Sequence, residues 1–311
     1  SKKKIMVKIF REPNELIKGV EIIFDDANHL FPKDIKISKI YEGCLWAEGP
    51  IFLKEKNIIV WSDIPYNRML YYHLSDNSTG VYRYPSNFSN GNSVDLDGFM
   101  ITAEHGRRAV SRTDKDGNVD IITNKYDGMR YNSPNDLVCK SDGTIWFTDP
   151  QYGILSNHEG HEARSETIFN GVYLVNKNGE VELLTSEIDA PNGIAFSPDE
   201  KIIYITDTGE TGNIFAFDVE NNKISNKRIF ATPRPGKPDG IKVDCNGNLL
   251  SSAWDGVQIF SPKGKLIAKI QIPEQRTANL CFGGENFSEL YIASDKSMYK
   301  IKMETSGNEP I

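Results

Sequence analysis

Along most of the chain, apolar residues alternate with polar residues at a period of two. The alternation is clear in pairs of apolar residues separated by one position: Ile58 and Val60, Ile145 and Phe147, Ile203 and Ile205, and Leu290 and Ile292. This period is typical of β-strands with one buried face, whereas the 3.6-residue period of an amphipathic helix is nearly absent. The chain is therefore predicted to be all-β.

The predicted strands recur in six units that start in the same way. Each unit opens on a polar residue at the head of an alternating strand, followed by a turn and a second strand, as in "PNGIAFSPDEKIIYITDT" (191–208). The polar residues that open the units are Glu48, Asn90, Asn135, Asn192, Asp239 and Asn279. They are separated by 42, 45, 57, 47 and 40 residues. A period of this size, made of several short strands, indicates a β-propeller rather than a helical solenoid.

Six such units around an axis predict a six-bladed β-propeller, whose antiparallel blades bury their faces against one another. Turns such as Asp97-Gly98 and Asn246-Gly247 supply the positive φ that tight hairpins need. The last unit has residues for only about three strands, while residues 1–40 contain extra strand-like sequence such as "VEIIFDD" (20–26). We expect the N-terminal segment to give a strand to the last blade and close the ring, with residues 1–311 forming a single domain.

The six opening residues should converge, because the first strand of each blade lines the central channel of a propeller. Together they offer two carboxylates and four amides, without sulfur or imidazole. Such hard oxygen donors favour Ca²⁺, Mg²⁺ or Mn²⁺, and leave Zn²⁺ or Fe²⁺ with water ligands open. The alternative is that Asn and Asp before Gly only cap turns. Glu48 speaks against it, because Glu is a poor turn residue and two carboxylates in one channel repel unless a cation or proton compensates.

Several stretches resemble the SMP-30/gluconolactonase family, in the same order and over about residues 44–300. They are "EGPIF" (48–52), "EHGRRAVSR" (104–112), "SPNDLV" (133–138), "FTDPQYG" (147–153), "PNGIAFSPDE" (191–200) and "PDGIKVD" (238–244). The second and fourth stretches are similar to those of bacterial gluconolactonases. In the regucalcin-like animal members an Arg stands where this chain has Ser133, so sugar contacts through that Arg do not carry over.

The resemblance implies a propeller that holds one divalent cation and that hydrolyses sugar lactones such as D-glucono-1,5-lactone. We expect the ion to be Ca²⁺, with Mg²⁺, Mn²⁺, Zn²⁺ or Fe²⁺ as alternatives. By motif, it implies Glu48, Asn192 and Asp239 as metal ligands, with Asn135 as a fourth ligand or a substrate contact. Asp239 is further implied as the general base, since a carboxylate beside the ion is able to take the proton of the attacking water.

Three side chains and one insertion extend this hypothesis. His105, which ends the second strand of the second blade, is expected near the channel by symmetry with Asp149 and Asp207, either as a substrate contact or as a structural histidine. Tyr152 is a candidate wall for a sugar ring, as is Trp254, although large aromatics often fill cores. The widest separation exceeds the others by about ten residues. We assign the surplus to residues 151–171, a polar, Gly-containing loop expected to cover one end of the channel as a lid.

Composition narrows the range of partners. The 43 acidic residues against 36 basic ones give a formal charge of -7 and no basic stripe, which excludes a nucleic-acid partner. No apolar run is long enough to span a bilayer, and "SKKKIMVKIF" at the start lacks the apolar core of a secretory leader, which favours the cytoplasm. The chain begins with Ser rather than Met, which leaves a removed leader open. The four cysteines form no CxxC pair and are expected to be buried free thiols.

A metal-dependent lactonase acting on a small sugar lactone, as a monomer or homodimer, is the leading hypothesis. Within enzymes, xylonolactone or another aldonolactone, or a phosphotriester or other ester, could replace the glucono substrate. In a different class, the chain would be a non-catalytic cation-binding propeller that serves as an interaction module, or a regulator that reports cation concentration. A hydrolase needs a cation with open coordination positions, whereas an interaction module does not.

Overall fold

The alternating segments form antiparallel strands of mostly five to seven residues, joined by short turns. The computed structural model describes residues 2–7, by their backbone, and residues 19–308. Within these ranges five sheets of four strands and one sheet of six strands form the blades, and a two-stranded ribbon lies beside them. The prediction of an all-β, six-bladed β-propeller is confirmed.

Each of the first three blades is a continuous run of four strands, in which each strand pairs with the next. The first blade consists of β4 (Ala47–Leu53), β5 (Ile58–Asp63), β6 (Arg68–His73) and β7 (Thr79–Arg83). The second consists of β8 (Ser89–Val94), β9 (Met100–Glu104), β10 (Ala109–Thr113) and β11 (Val119–Thr123). The third consists of β14 (Leu137–Cys139), β15 (Ile145–Asp149), β16 (Gly171–Val175) and β17 (Val181–Thr185). The ribbon β12 (Lys125–Tyr126) and β13 (Met129–Arg130) connects the second blade to the third.

The fourth blade is likewise a continuous run of four strands, whereas the fifth and sixth blades also take strands from the N-terminal part of the chain. The fourth consists of β18 (Pro191–Phe196), β19 (Ile202–Asp207), β20 (Ile214–Glu220) and β21 (Lys223–Ala231). The fifth consists of β22 (Ile241–Val243), β23 (Leu249–Ala253), β24 (Gly256–Phe260) and β25 (Leu266–Gln271), extended by β2 (Gly19–Phe24) and β1 (Lys2–Val7). The sixth consists of β26 (Thr277–Gly283), β27 (Glu289–Ser294), β28 (Ser297–Lys302) and β3 (Ile37–Glu42). Short 3-10 helices span Asp25–Leu30, Tyr152–Ile154 and Glu285–Phe287.

An N-terminal strand closes the last blade, as predicted, but it is not the strand that the sequence suggested. β3 pairs with β28, so that Ile37 lies opposite Ile301. The stretch "VEIIFDD" instead forms β2, which pairs with β25 at the outer edge of the fifth blade, with Val20 opposite Ile270. The expectation for that stretch was wrong, because strand-like alternation marks a strand but does not say which open edge it joins.

The space between neighbouring blades is filled by large apolar side chains. Trp146 of the third blade is fully buried and meets the ring of Phe196 of the fourth blade edge to face, with centroids 4.9 Å apart. Between the sixth and first blades, Tyr72 and Tyr291 lie 6.3 Å apart in a cluster that also contains the fully buried Trp61. Because each blade buries both faces in this way, the stacked blades hold the channel strands in fixed positions.

The hairpin glycines behave as the sequence predicted. Gly98 has φ of 80°, and its N–H donates to the carbonyl of Asp95 over 3.0 Å, which closes a four-residue turn. Gly247 has φ of 85° and makes the same bond to Asp244. These values lie in the left-handed region that glycine adopts without steric cost.

The cysteines are unpaired thiols, but not all of them are buried. Cys44 and Cys281 are buried and Cys139 is partly buried, whereas Cys245 is exposed. Cys245 differs because it lies in the turn between β22 and β23, at the surface. Among the described residues, no helix has both the length and the apolar character needed to cross a membrane.

Candidate active site at the centre of the ring

The first strands of the six blades form a closed ring around the axis. β4 contacts β8 and β26, β14 contacts β8 and β18, and β22 contacts β18 and β26. All six opening residues lie on these strands or just before them: Glu48, Asn90, Asn135, Asn192, Asp239 and Asn279. The repeated motif therefore brings one polar side chain from every blade to the central channel.

Contacts between neighbouring blades fix the backbone of the opening residues. The hydroxyl of Thr148 donates to the carbonyl of Asn192, and the hydroxyl of Thr206 donates to the carbonyl of Asp239, each over 2.7 Å. The glycine after Asn192 is needed for close approach rather than for a turn, because a Cβ on Gly193 would overlap the Asp239 carbonyl oxygen. Because the carbonyls of Asn192 and Asp239 are bonded to the preceding blade, it is their side chains that are available to bind a ligand in the channel.

Three oxygens of the ring are buried and lack a hydrogen-bond donor among the described residues. They are Oδ1 of Asn90, of Asn192 and of Asp239. A buried acceptor without a partner costs roughly 1–3 kcal/mol, so a site that keeps three of them is suited to a ligand that satisfies them. Carboxylate and amide oxygens suit a hard divalent cation or the hydroxyls of a sugar.

The donor set fits a cation held partly by neutral groups. In the described part of the chain, no three His, Cys, Asp or Glu side chains gather as a metal-binding cluster. A cation at the ring would therefore use the carboxylates of Glu48 and Asp239 together with amide oxygens such as that of Asn192. Such mixed oxygen coordination is common for Ca²⁺ and uncommon for softer metals.

The carboxyl groups of the channel are strongly perturbed. Burial, together with the nearby charge of Asp136, raises the pKa of Glu48 to about 7. Burial also raises the pKa of Asp239 well above its ordinary value, and the charges of Glu48 and Asp136 add to the effect. Because these carboxyls are close enough to repel, each disfavours the ionisation of the others unless positive charge is supplied.

Asp136 is a channel residue that the sequence argument missed. It is buried, burial raises its pKa, and its Oδ2 accepts a hydrogen bond from Nδ2 of Asn279 over 3.1 Å. The same Nδ2 donates to Oε1 of Glu48 over 3.0 Å, so Asn279 holds two carboxyls and does not turn its oxygen to the channel. The signal in the sequence was the acidic residue directly after Asn135, at a position where the other units have Gly or Leu.

Asn135 is buried within the ring, between the second and fourth blades. Its N–H donates to the carbonyl of Thr148 over 2.9 Å, and its carbonyl accepts from the N–H of Gly91 over 2.8 Å. Its backbone is thus held by the second and third blades, and either role implied by the sequence, ligand or substrate contact, stays a prediction.

His105 lies beside the ring, with both nitrogens engaged within the protein. Nε2 faces Nδ2 of Asn90 at 3.1 Å, and Nδ1 faces the carbonyl of Glu159 at 2.9 Å. Burial lowers the pKa of His105 to about 4, so the ring is neutral at pH 7. A carbonyl only accepts, so the proton is on Nδ1, and Nε2 accepts from the Asn90 amide. A direct bond from His105 to a substrate would require one of these bonds to break.

The symmetry used to place His105 was wrong by one residue. Glu104 lies opposite Ser89, as Asp207 lies opposite Pro191, so Glu104 and Asp207 occupy equivalent positions. Asp207 accepts the backbone N–H of Ala190, and Asp149 accepts those of Asn132 and Ser133. These aspartates brace the segments that lead into the first strands.

The aromatic candidates follow the second strands of the third and fifth blades. Tyr152 is half-buried, and burial together with the charge of Asp239 raises the pKa of its phenol. Trp254 is 42% exposed and packs against the guanidinium of Arg276, whose carbon lies 4.7 Å from the ring centroid. Trp254 is therefore not a core residue.

Residues 151–171, called the insertion from here on, pack against the second blade. The N–H of Gly153 donates to Oγ of Ser133 over 2.9 Å, and Nη2 of Arg108 donates to the carbonyl of Arg164 over 3.3 Å. Burial raises the pKa of the Glu159 carboxyl, whose charge in turn adds to the raised pKa of Glu48 and Asp239. The insertion thus brings one further acid towards the channel.

Comparisons with known proteins give a consistent result. A family model described as the SMP-30/Gluconolactonase/LRE-like region matches residues 46–296. A gluconolactonase of Zymomonas mobilis is 32% identical over 297 residues, covering 87% of this chain and 82% of that protein. The pentonolactonase XacC of Haloferax volcanii is 25% identical, covering 81% of this chain and 82% of that protein. A solved gluconolactonase structure from Xanthomonas campestris superimposes with a TM-score of 0.87 and 33% identity, covering 91% of this chain and 94% of that one.

Proposed function

The chain belongs to the SMP-30/gluconolactonase/LRE-like family, and from that premise we propose that it hydrolyses sugar lactones such as D-glucono-1,5-lactone with one divalent cation in the central channel. The observation that carries the proposal is the set of buried, unpartnered side-chain oxygens on Asn90, Asn192 and Asp239. A propeller that served only as a scaffold would gain stability by satisfying these atoms or replacing them with apolar groups. Keeping them is consistent with a site built for a polar ligand.

Glu48, Asn192 and Asp239 would hold the cation, with Asn135 as a further ligand or substrate contact, and Ca²⁺ is the ion that this oxygen set suits best. When bound, a divalent cation polarises a lactone carbonyl and lowers the pKa of water. Its charge would also offset the repulsion that raises the pKa of Glu48 and Asp239. The two carboxyls would then be ionised at neutral pH, as a general base requires.

Asp239 would act as the general base. Its backbone is fixed, because its N–H bonds to Oγ of Ser252 over 3.0 Å and its carbonyl bonds to Thr206. Its unpartnered Oδ1 is free to accept the proton of a water whose oxygen attacks the lactone carbonyl carbon. The bond between that carbon and the ring oxygen then breaks, and the ring oxygen takes a proton to become the hydroxyl of the product acid.

Tyr152 and the insertion would shape the substrate side of the site. Tyr152 lies next to Gly153, which packs against His105, and its phenol would form a wall for a sugar ring. The insertion would act as a lid, because it runs from Tyr152 past Glu159 and packs over His105 beside the ring. Excluding water in this way would strengthen the polar contacts beneath it.

The test is a proton-release assay with D-glucono-1,5-lactone on chelated protein, with Ca²⁺, Mg²⁺, Mn²⁺, Zn²⁺ or anaerobic Fe²⁺ added back singly. We expect turnover to return with one of these ions and to fall by about 100-fold or more in Asp239→Asn, the range typical of a lost general base. The matched control is Asp218→Asn, which makes the same charge change on the fourth blade, where Asp218 pairs with Arg228 away from the channel. Full turnover in Asp239→Asn would contradict the role assigned to that residue.

A five-carbon lactone is a second candidate substrate, favoured by the similarity to a pentonolactonase. The assay should therefore include xylono-1,4-lactone and other aldonolactones, together with simple esters and phosphotriesters. Tight cation binding without turnover of any lactone would overturn the proposed activity. Turnover confined to esters or phosphotriesters would move it to another class of hydrolase.

A further inference from the structure

Asn90 differs from the other asparagines of the ring in how its amide is held. It is 3% exposed, and its Nδ2 is the only polar side-chain atom of the residue with a partner among the described residues, the Nε2 of His105. Its Oδ1 is buried and accepts no hydrogen bond there. The amide is thus fixed at its nitrogen end, and its oxygen is left for a donor from outside the chain.

His105 determines which end of the amide is presented. Nδ1 of His105 faces a backbone carbonyl, so this nitrogen must donate, and Nε2 must accept. An accepting Nε2 requires the NH₂ group of Asn90 on its side, which leaves the oxygen on the other side. The orientation of the Asn90 amide is therefore determined by the hydrogen bond between Nδ1 of His105 and that backbone carbonyl.

That bond belongs to the insertion. The carbonyl that fixes His105 is the backbone oxygen of Glu159, at 2.9 Å. The contact is tight along the insertion, because a Cβ on Gly153 would come within 2.5 Å of Cγ of His105. The ring of His161, also in the insertion, meets Phe88 of the second blade with centroids 5.3 Å apart. The insertion and the Asn90 amide are thus connected through the two hydrogen bonds of His105.

We propose that Asn90 is a substrate-binding residue whose amide oxygen accepts a hydrogen bond from a hydroxyl of the lactone, with His105 as its positioning residue and the Glu159 carbonyl as the element that couples it to the insertion. This inference rests on the proposed lactonase function. A hydroxyl is favoured over the cation as the partner of this oxygen because Asn90 is joined through His105 to the insertion, whereas Glu48, Asn192 and Asp239 already supply a set of oxygens for a cation.

The first experiment separates a substrate contact from a cation ligand. Asn90→Leu keeps the approximate volume of the side chain but removes its acceptor, so we expect KM for D-glucono-1,5-lactone to rise about 10-fold, in line with one lost hydrogen bond and an uncompensated hydroxyl. Cation affinity, measured by calorimetry on chelated protein, should change less than two-fold. A ten-fold loss of cation affinity would overturn the assignment and make Asn90 a metal ligand.

The matched control is Asn92→Ala on the same strand. Asn92 is equally buried, but its amide is fully engaged within the protein: Nδ2 donates to Oγ of Ser62 and to the backbone carbonyls of Gly49 and Asn90, and Oδ1 accepts from the hydroxyl of Thr102. We expect this variant to lose thermal stability and to keep its KM. An equal rise of KM in Asn90→Leu and Asn92→Ala would mean that any disturbance of β8 weakens substrate binding, and would overturn the proposal.

A comparison on the substrate side remains informative even where a variant folds poorly. Deoxy lactones that each lack one hydroxyl are assayed with the wild-type protein and with Asn90→Leu. For one of these compounds, the KM of the wild type should rise about 10-fold and the difference between wild type and variant should disappear. If each missing hydroxyl affects both proteins equally, no hydroxyl meets Asn90 and the proposal fails.

The role of His105 is tested by rescue. His105→Phe removes the acceptor and should raise KM as much as Asn90→Leu, and the double variant should be no worse than either single variant. His105→Gln keeps an acceptor and should recover part of the affinity. Hydrogen exchange of residues 155–165 should accelerate in His105→Phe and not in Asn90→Leu. Additive effects in the double variant would show that His105 does not act through Asn90.

These outcomes are distinct from failure of the proposed function. An active wild type with normal KM in both Asn90→Leu and His105→Phe would leave the lactonase intact and overturn this inference alone. A wild type that turns over none of the lactones would overturn both.

Discussion

The space between the blades and the channel at their centre are equally buried but contain opposite chemistry. Between the third and fourth blades, the fully buried Trp146 donates its Nε1–H to Thr144 over 2.9 Å and packs on Phe196. In the channel, Glu48, Asp136 and Asp239 repel one another, and the Asp239 carboxyl keeps an unpartnered oxygen. Burial stabilises the fold in the first region and opposes it in the second. The fold can carry such a channel because the stacked blades are stabilised independently of it.

The largest effect on stability is expected in the apolar region between the blades. Trp146→Ala removes a fully buried side chain and should lower the free energy of unfolding by about 3–5 kcal/mol, through lost burial and a cavity between the blades. Denaturant unfolding measures this change. In the folded fraction the KM for lactone should remain that of the wild type, because Trp146 does not line the channel. A large change of KM would show that the two regions are not independent.

Neutralising the channel should have the opposite effect on stability. The folded pKa of Glu48, about 7, lies above its ordinary value of 4.5, so the folded protein holds the proton more tightly than the unfolded chain. That contribution is complete below pH 4.5 and is lost as the pH rises through 7. Without cation, Glu48→Gln should therefore be more stable than the wild type at pH 8 by about 3 kcal/mol. The difference should vanish near pH 4.5, and its absence at pH 8 would contradict the raised pKa.

A bound cation should make the wild type more stable than Glu48→Gln, the reverse of the order expected without cation. At a concentration 100 times its dissociation constant, the ion that restores activity should stabilise the wild type by about 2.7 kcal/mol. Glu48→Gln, which lacks one carboxylate, should gain much less at the same concentration. Thermal unfolding with and without the ion measures both values. Equal stabilisation of the two proteins would place the cation away from Glu48.

The smallest effect is expected at the surface turns. Gly98 has φ of 80° and open space around its Cα, so Gly98→Ala should cost about 1 kcal/mol of stability and leave activity unchanged. Gly193→Ala is the contrasting variant, because its new Cβ would overlap the carbonyl oxygen of Asp239, the proposed base, and displace that residue. We expect it to lower turnover well beyond its effect on stability. If activity fell in proportion to stability in both variants, the distinction between a surface turn at Gly98 and a channel position at Gly193 would be contradicted.

Much of the fold could be predicted because its signal is repeated. The interval between Glu48, Asn90 and the later opening residues fixed the number of blades, and the channel position of the first strand followed from the architecture. The edge joined by β2 could not be predicted in this way. Alternation describes one strand, whereas the choice between the fifth and sixth blades depends on which edge is open and on the turn made by residues 25–30.

The candidate site was predictable as a set of positions but not as a network of bonds. The motif located Asn90 and Asn279 equally, yet the structure turns the nitrogen of Asn279 towards two carboxyls and that of Asn90 towards His105. Which end of an amide faces the channel depends on partners that are distant in sequence, and no local pattern records them. Asp136 escaped notice for the same reason, since its burial follows from the ring rather than from its neighbours in sequence.

The pairing of β3 with β28 has a consequence for biosynthesis. Because Ile37 bonds opposite Ile301, the sixth blade cannot be completed until the C-terminal strands have left the ribosome. Until then β3 has no strand to pair with, and the ring of blades remains open. Apolar side chains of the first blade that pack against the sixth, such as Trp61, stay exposed during this time. The nascent chain therefore passes through a long interval in which it is a substrate for chaperones, and a truncation before β28 would leave it there.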